Sequence, residues 1–301
     1  MSPNRPWQKL LAASAAVLLA VLVAVPLAHA DSLDEIEIET IFDSVDGNFN
    51  RLKVFGLTYD GQLVRFRVSV PHVMKNIGYV SGLQPPDSAL VCIDFRVQYG
   101  QRYGVGNGNG VYTINTQNAQ ATLVNSLTVP LVGASFGCDF NPAADRLRII
   151  SDTGQNLRHN VNAGGVTIDD GTLNYLPVPP ATTPTTALGV TGAAYTNNDL
   201  DPNTATTLFD IDSTLDQVVI QSPPNNGTLV PTGKLGRDTD SQVGFDIASR
   251  LVKGVTRENR AFASLVVNGK SGFYGINLLT GQASFLGRLS NDVIDIAVSL
   301  Q

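Results

Sequence analysis

Apolar residues fall along this chain in short runs, many alternating with polar positions, and clusters of Gly, Asn, Asp and Pro separate one run from the next. Alternation with period two predicts β-strands, and the separators predict tight turns. Five of the runs close on nearly the same four residues: Cys92-Ile93-Asp94-Phe95, Gly137-Cys138-Asp139-Phe140, Gly192-Ala193-Ala194-Tyr195, Gly244-Phe245-Asp246-Ile247 and Val293-Ile294-Asp295-Ile296. Their third positions lie 45, 55, 52 and 49 residues apart. That period suits one four-stranded blade of a β-propeller. The expected fold is all-β, a single propeller of five blades of four antiparallel strands, with six or seven smaller blades as the alternative.

Within a repeat the strands follow from the same pattern. In the second unit they are expected at 89–96, 102–105, 110–115 and 120–127, with the glycine- and asparagine-rich 106–110 as a hairpin turn. The last unit repeats the theme at 261–267, 272–277 and 282–289. The first unit has candidates at 52–58, 62–68 and 76–83 but no inner strand before them, whereas 293–300 begins a repeat that the chain never finishes. The C-terminal strand should therefore complete the first blade and close the ring, removing free sheet edges. Leu176 to Leu188 carries Pro177, Pro179, Pro180 and Pro184 and reads as an extended loop.

Residues 1–30 hold Arg5 and Lys9, an apolar run from Leu10 to Val25 ended by Pro26, and a final Ala28-His29-Ala30. This is the layout of a secretory signal peptide, too short to span a bilayer. Residues 31–50 form an acidic N-terminal extension, and 51–301 the propeller domain. From Asp31 to Asp46 there are seven acids and no base, with a Glu35-Ile36-Glu37-Ile38-Glu39 alternation; a solvated edge strand or a cation site would both account for it. The whole chain has a net charge of −6, and removal of Arg5 and Lys9 makes it −8. Such acidity argues against nucleic acid and anionic membranes as partners. Export to the periplasm or beyond is expected, with a small molecule, glycan or protein as partner, no membrane contact after cleavage, and a monomeric state.

Four of the repeated positions are aspartates: Asp94, Asp139, Asp246 and Asp295; the fifth is Ala194. Inner strands surround a propeller's channel, so carboxylates at one level could converge on a cation such as Ca²⁺. Equally, each could latch its blade to the next by accepting hydrogen bonds. Cys92 precedes its Asp by two places and Cys138 by one, so the two should face opposite sides of their strands. Export permits a disulfide between them, but that parity favours two buried thiols. Glu258 stands between Arg257 and Arg260, whose charge would spoil it as a general acid. His72 follows Pro71 in an expected turn, and His159 alternates along a strand with Leu157 and Val161. Neither belongs to a recognisable triad, and there is no Gly-x-Ser-x-Gly elbow.

The stretch from Phe136 to Arg148, continued by Ser151-Asp152-Thr153-Gly154-Gln155-Asn156-Leu157-Arg158, resembles the signature of a bacterial family of exported proteins, domain-of-unknown-function family 4394. Phrases of the same kind are Cys92 to Arg96, Ala193 to Asn198, Ser222 to Leu229 and Gly272-Phe273-Tyr274. The likeness spans about 52–300 and departs from the family pattern at Val97-Gln98-Tyr99, where a proline-containing turn is expected. It implies a propeller and brings no catalytic or binding residue with it. A non-catalytic ligand- or protein-binding module is the expected function. The alternative is a hydrolase, a metal-dependent lactonase or a glycosidase, using the channel aspartates.

Overall fold

The computed structural model describes residues 49–301. The expected signal peptide at 1–30, and all but the last two residues of the expected acidic extension at 31–50, lie outside the described residues. Five antiparallel sheets of at least four strands each stand in sequence around the ring. Blade 1 joins Val293–Val298 to Lys53–Thr58, Gln62–Arg67 and Val70–Tyr79. Blade 2 is Leu90–Arg96, Gln101–Gly106, Gly110–Ile114 and Ala121–Ser126. Blade 3 is Phe136–Asn141, Arg146–Ser151, Asn156–His159 and Thr167–Asp169. Blade 4 runs Val190–Tyr195, Leu208–Asp212, Gln217–Gln221 and Thr228–Lys234, and blade 5 runs Thr239–Val252, Val255–Val267, Lys270–Ile276 and Ala283–Arg288. Each inner strand packs against the next, with Val293–Val298 between those of blades 5 and 2. The C-terminal strand pairs antiparallel with Lys53–Thr58, Gly56 opposite Ile296, which closes the ring as the incomplete first repeat requires.

Alternation gives each blade two dry faces, and every gap between blades has its own apolar cluster. Phe55, Leu57, Leu63, Ile93 and Tyr112 fill the gap between blades 1 and 2. Phe209, Ile211, Phe245 and Ile247 fill the gap between blades 4 and 5. Burial of each such side chain contributes roughly 1.5–3 kcal/mol, so stability is distributed around the wheel. The connections between blades and the turns between second and third strands share one end, called upper below; the other turns form the lower end.

Three segments differ from expectation. The outer strand of blade 1 starts at Val70, so His72 is in an exposed edge strand and not in a turn. An edge strand tolerates Pro71, whose missing N–H has no ladder partner to lose. The proline-rich segment is not all loop: Asn174–Tyr175 pairs in parallel with Thr228–Leu229, and Thr185–Thr186 adds a further strand, making blade 4 six-stranded. Blade 5 opens with a hairpin much longer than 261–267 suggested. Its lower part docks on the 196–199 loop, the Thr256 N–H donating to Asp199 Oδ2 at 2.8 Å and the Asn197 N–H to Asn259 Oδ1 at 3.1 Å. That extension is polar and contact-dependent, so its strand pattern is weak.

Candidate functional site

The inner strands hold the repeated residues at the axis, and strand parity decides where each points. First and third positions of the motif face the following blade, and the second faces the preceding one. At the first position a side chain has little room: a Cβ on Gly137 would stand 2.7 Å from the Thr191 carbonyl oxygen, and one on Gly244 2.7 Å from Asp295 Cα.

The third-position carboxylates reach across the gaps. Asp94 Oδ2 accepts the Phe140 N–H of blade 3 at 2.8 Å, and Asp139 accepts the Tyr195 N–H of blade 4. Asp246 Oδ2 accepts the Val298 N–H of blade 1 at 2.5 Å, and Asp295 Oδ2 the Ile93 N–H of blade 2 at 2.7 Å. Asp246 and Asp295 also accept the N–H of the residue that follows each. The latch therefore runs round the ring and is missing only after Ala194, where the apolar cluster between blades 4 and 5 takes over.

One oxygen from each of Asp94, Asp139 and Asp246 falls within 4.8 Å of the others. Asp295 is not in that group; it stands beside Cys92 and Cys138. All four are buried. Burial, reinforced by Asp246, holds the Asp94 carboxyl well above the usual range, and burial with Asp94 and Asp246 does the same to Asp139. Burial pushes Asp246 up to about 7 and raises Asp295 strongly. The three converging oxygens suit the spacing around a hard cation, but Ca²⁺ takes six to eight oxygens, and these three already accept backbone N–H groups. Backbone donors, and burial that favours the protonated carboxyls, stabilise the cluster as it stands.

Cys92 and Cys138 form a disulfide, Cα atoms 6.0 Å apart. This corrects the expectation of two buried thiols. The parity was right and the conclusion inverted: Cys92, at a first position, points forward, and Cys138, at a second position, points back, so opposite faces of neighbouring strands meet in one gap.

His159 is fully buried, Nδ1 within 3.0 Å of Thr167 Oγ1 and Nε2 within 3.0 Å of Asn125 Oδ1, and burial lowers its pKa to about 4. Glu258 pairs with Arg250 and Arg260 on the lower hairpin, away from the axis. Neither joins the aspartates. The gap between blades 3 and 4 holds a polar network that the pattern did not single out. Arg148, 1% exposed, donates to Asn156, Asp170 and Asn225 at 2.7, 2.7 and 2.9 Å. In the same gap Asp210 is buried, with neither oxygen hydrogen-bonded, and burial raises its pKa strongly. Its only sequence signal is an acid inside the apolar run Leu208-Phe209-Asp210-Ile211. Two shallow surface hollows lie at the upper end, one of about 330 Å³ lined by Leu215, Asp216, Lys234 and Arg237, the other of about 320 Å³ lined by Tyr59, Asp60 and Asp292.

A family model described as "Domain of unknown function (DUF4394)" matches residues 62–297. No curated protein matches the chain. Among solved structures, it is similar to a structural-genomics protein of unknown function from Bacteroides thetaiotaomicron, with 9% identity over 79% of this chain and 55% of that one, at a TM-score of 0.43. It is also similar to a protein from Bacteroides fragilis proposed as a 6-phosphogluconolactonase, with 11% identity, 79% and 81% coverage and a TM-score of 0.38. A third is an auxiliary nutrient binding protein from Bacteroides ovatus, with 12% identity, 73% and 55% coverage and a TM-score of 0.38. The chain spans just over half the length of the first and third. At such scores these likenesses carry no conclusion about chemistry.

Proposed function

The chain belongs to the family of the domain of unknown function DUF4394, and we propose that it is an exported, monomeric, non-catalytic propeller that binds a ligand on the ends of its ring. The observation that carries this reading is the engagement of Asp94, Asp139, Asp246 and Asp295 as latches: each accepts a backbone N–H from the next blade and is buried. A carboxyl so held is neither open to a substrate nor mobile enough to exchange a proton with one. The disulfide supports export, because such bonds persist in oxidising compartments. The acidic net charge disfavours nucleic acid as the ligand.

One observation favours the runner-up, a hydrolase: Asp246, held near 7 beside Asp94 and Asp139, has the proton affinity of a general acid at neutral pH. Purified protein and the isosteric Asp139→Asn and Asp246→Asn variants separate the two. The expected result is no divalent ion at unit stoichiometry by metal analysis and no turnover of lactone or glycoside substrates by any of the three. A stoichiometric ion in the parent, lost with hydrolytic activity in folded variants, would overturn the binding reading.

A further inference from the structure

The lower end of the gap between blades 1 and 2 gathers positive charge. Lys53 lies directly opposite Arg67, and Arg65 lies directly opposite both Phe55 and Lys75. Residues opposite one another in an antiparallel ladder project from the same face with Cβ atoms about 4.5–5.5 Å apart, and like charges so placed destabilise the sheet. Blade 2 adds a fifth cation. The Arg102 guanidinium lies over the Phe55 ring, 3.5 Å from its centroid, and 4.9 Å from that of Phe95. Arg102 is 1% exposed, and none of its three side-chain nitrogens has a hydrogen-bond partner. Burial lowers its pKa to about 9, so it is still charged at neutral pH.

Among the described residues, no carboxylate pairs with any of these five side chains. The acids of blades 1 and 2 are elsewhere. Asp60 is held by Thr58 and Gln62, Asp87 by Gly110 and Tyr112, and Asp292 borders the hollow beside Asp60, all at the upper end. Asp94 and Asp295 are in the latches. Two like-charge pairs and a buried, unpartnered guanidinium in a protein of net charge −6 are costly features unless an anion offsets them.

We propose that the lower rim of blades 1 and 2 is a binding site for a run of carboxylates, with Lys53, Arg65, Arg67 and Lys75 as the contacting cations and Arg102 beneath them. Arg102, buried with its guanidinium over the Phe55 ring, adds uncompensated positive charge under the rim, while the exposed guanidinium of Arg67 and the half-buried one of Arg65 present forks that a planar carboxylate matches. The occupant is an acidic polymer from outside, such as a polyuronate, whose repeated carboxylates complement a row of cations that no acid of blades 1 and 2 offsets. The seven acids of 31–46 precede Arg51 and Lys53 by a few residues, so the test also reads whether they compete for the same cations. The inference deepens the binding-module reading, on which it rests in taking the ligand to be held and not cleaved.

The test is calorimetric titration of the full chain with polygalacturonate at low and at high salt. Binding that weakens with salt, falls about tenfold or more in Arg65→Gln/Lys75→Gln and is unchanged in Lys253→Gln, on the separate blade 5 hairpin, is the expected result. In the Glu35→Gln/Glu37→Gln/Glu39→Gln chain, tighter binding, or binding that the parent lacks, makes the chain's own carboxylates competitors for the site. Unchanged binding there assigns the site to the external polymer, and both outcomes support it. Absence of binding by the parent and by that variant, or equal binding by Arg65→Gln/Lys75→Gln, overturns the proposal. The metal and turnover assays above are untouched by either result, so the two failures are distinguishable.

Discussion

At the level of single residues, the repeated motif reports packing more than chemistry. Glycine recurs at its first position because the inner strands approach so closely that Gly137 and Gly244 have backbone at 2.7 Å where a Cβ would stand. Gly137→Ala should lower stability by about 1–3 kcal/mol, as overpacking does, measured by urea denaturation; an unchanged midpoint would mean that the inner strands can part without cost. Aspartate recurs at the third position because a short carboxylate spans the same narrow gap to an N–H of the next blade. Both were legible because the fold writes them several times. Arg102 and Asp210 each occur once, and their isolation depends on which side chains fail to reach them. No local pattern carries that information.

Among the elements, two crossings tie the ring. The C-terminal strand supplies the innermost position of blade 1 and also receives the Asp246 latch through the Val298 N–H. The disulfide bolts blade 2 to blade 3 across a sequence separation of 46 residues. Loop-closure entropy for that span is worth about 4 kcal/mol. Cys92→Ala/Cys138→Ala should therefore lower the unfolding free energy by that order in non-reducing denaturant titrations, and dithiothreitol should then have no further effect on the variant. Equal stabilities of parent and variant would show that the bond does not constrain the unfolded chain. Closure by the last strand was visible as an unfinished repeat. The bond was misread, since parity along one strand says nothing until the neighbouring strand is known to face it.

For the whole molecule, the four ring aspartates together with Asp210 set the pH response. Burial raises their folded pKa values above the ordinary aspartate range, that of Asp246 to about 7. The folded state then binds more protons than the unfolded one above the ordinary aspartate pKa, so stability is greatest in acid and falls as pH rises from about 4, the share of Asp246 being lost through about 7. His159 acts in the opposite sense: its pKa is lowered to about 4, so it adds stability as pH rises from about 4 to about 6.5. Five carboxyls against one imidazole decide the sign. Thermal unfolding in chelator-containing buffer should give a midpoint that drops by several degrees between pH 4.5 and 7, and Asp246→Asn should flatten the slope. A midpoint rising over that range would refute the assignment of protons to the ring. Ca²⁺ at neutral pH would restore the loss only if the cluster binds it.

By itself the sequence determined the architecture: period, blade count, strand alternation and the displaced last strand are all local or repetitive, and every copy reinforces the signal. It also placed the aspartates and cysteines on the inner strands. Only the tertiary structure decided what they do there, because latch, metal ligand and disulfide differ in which face of the adjacent blade lies opposite, a relation between segments some fifty residues apart. The cationic rim has the same origin. Lys53, Arg65, Arg67, Lys75 and Arg102 are spread along the chain, and hydrogen-bond register with the packing of one blade on the next makes them a single charged surface.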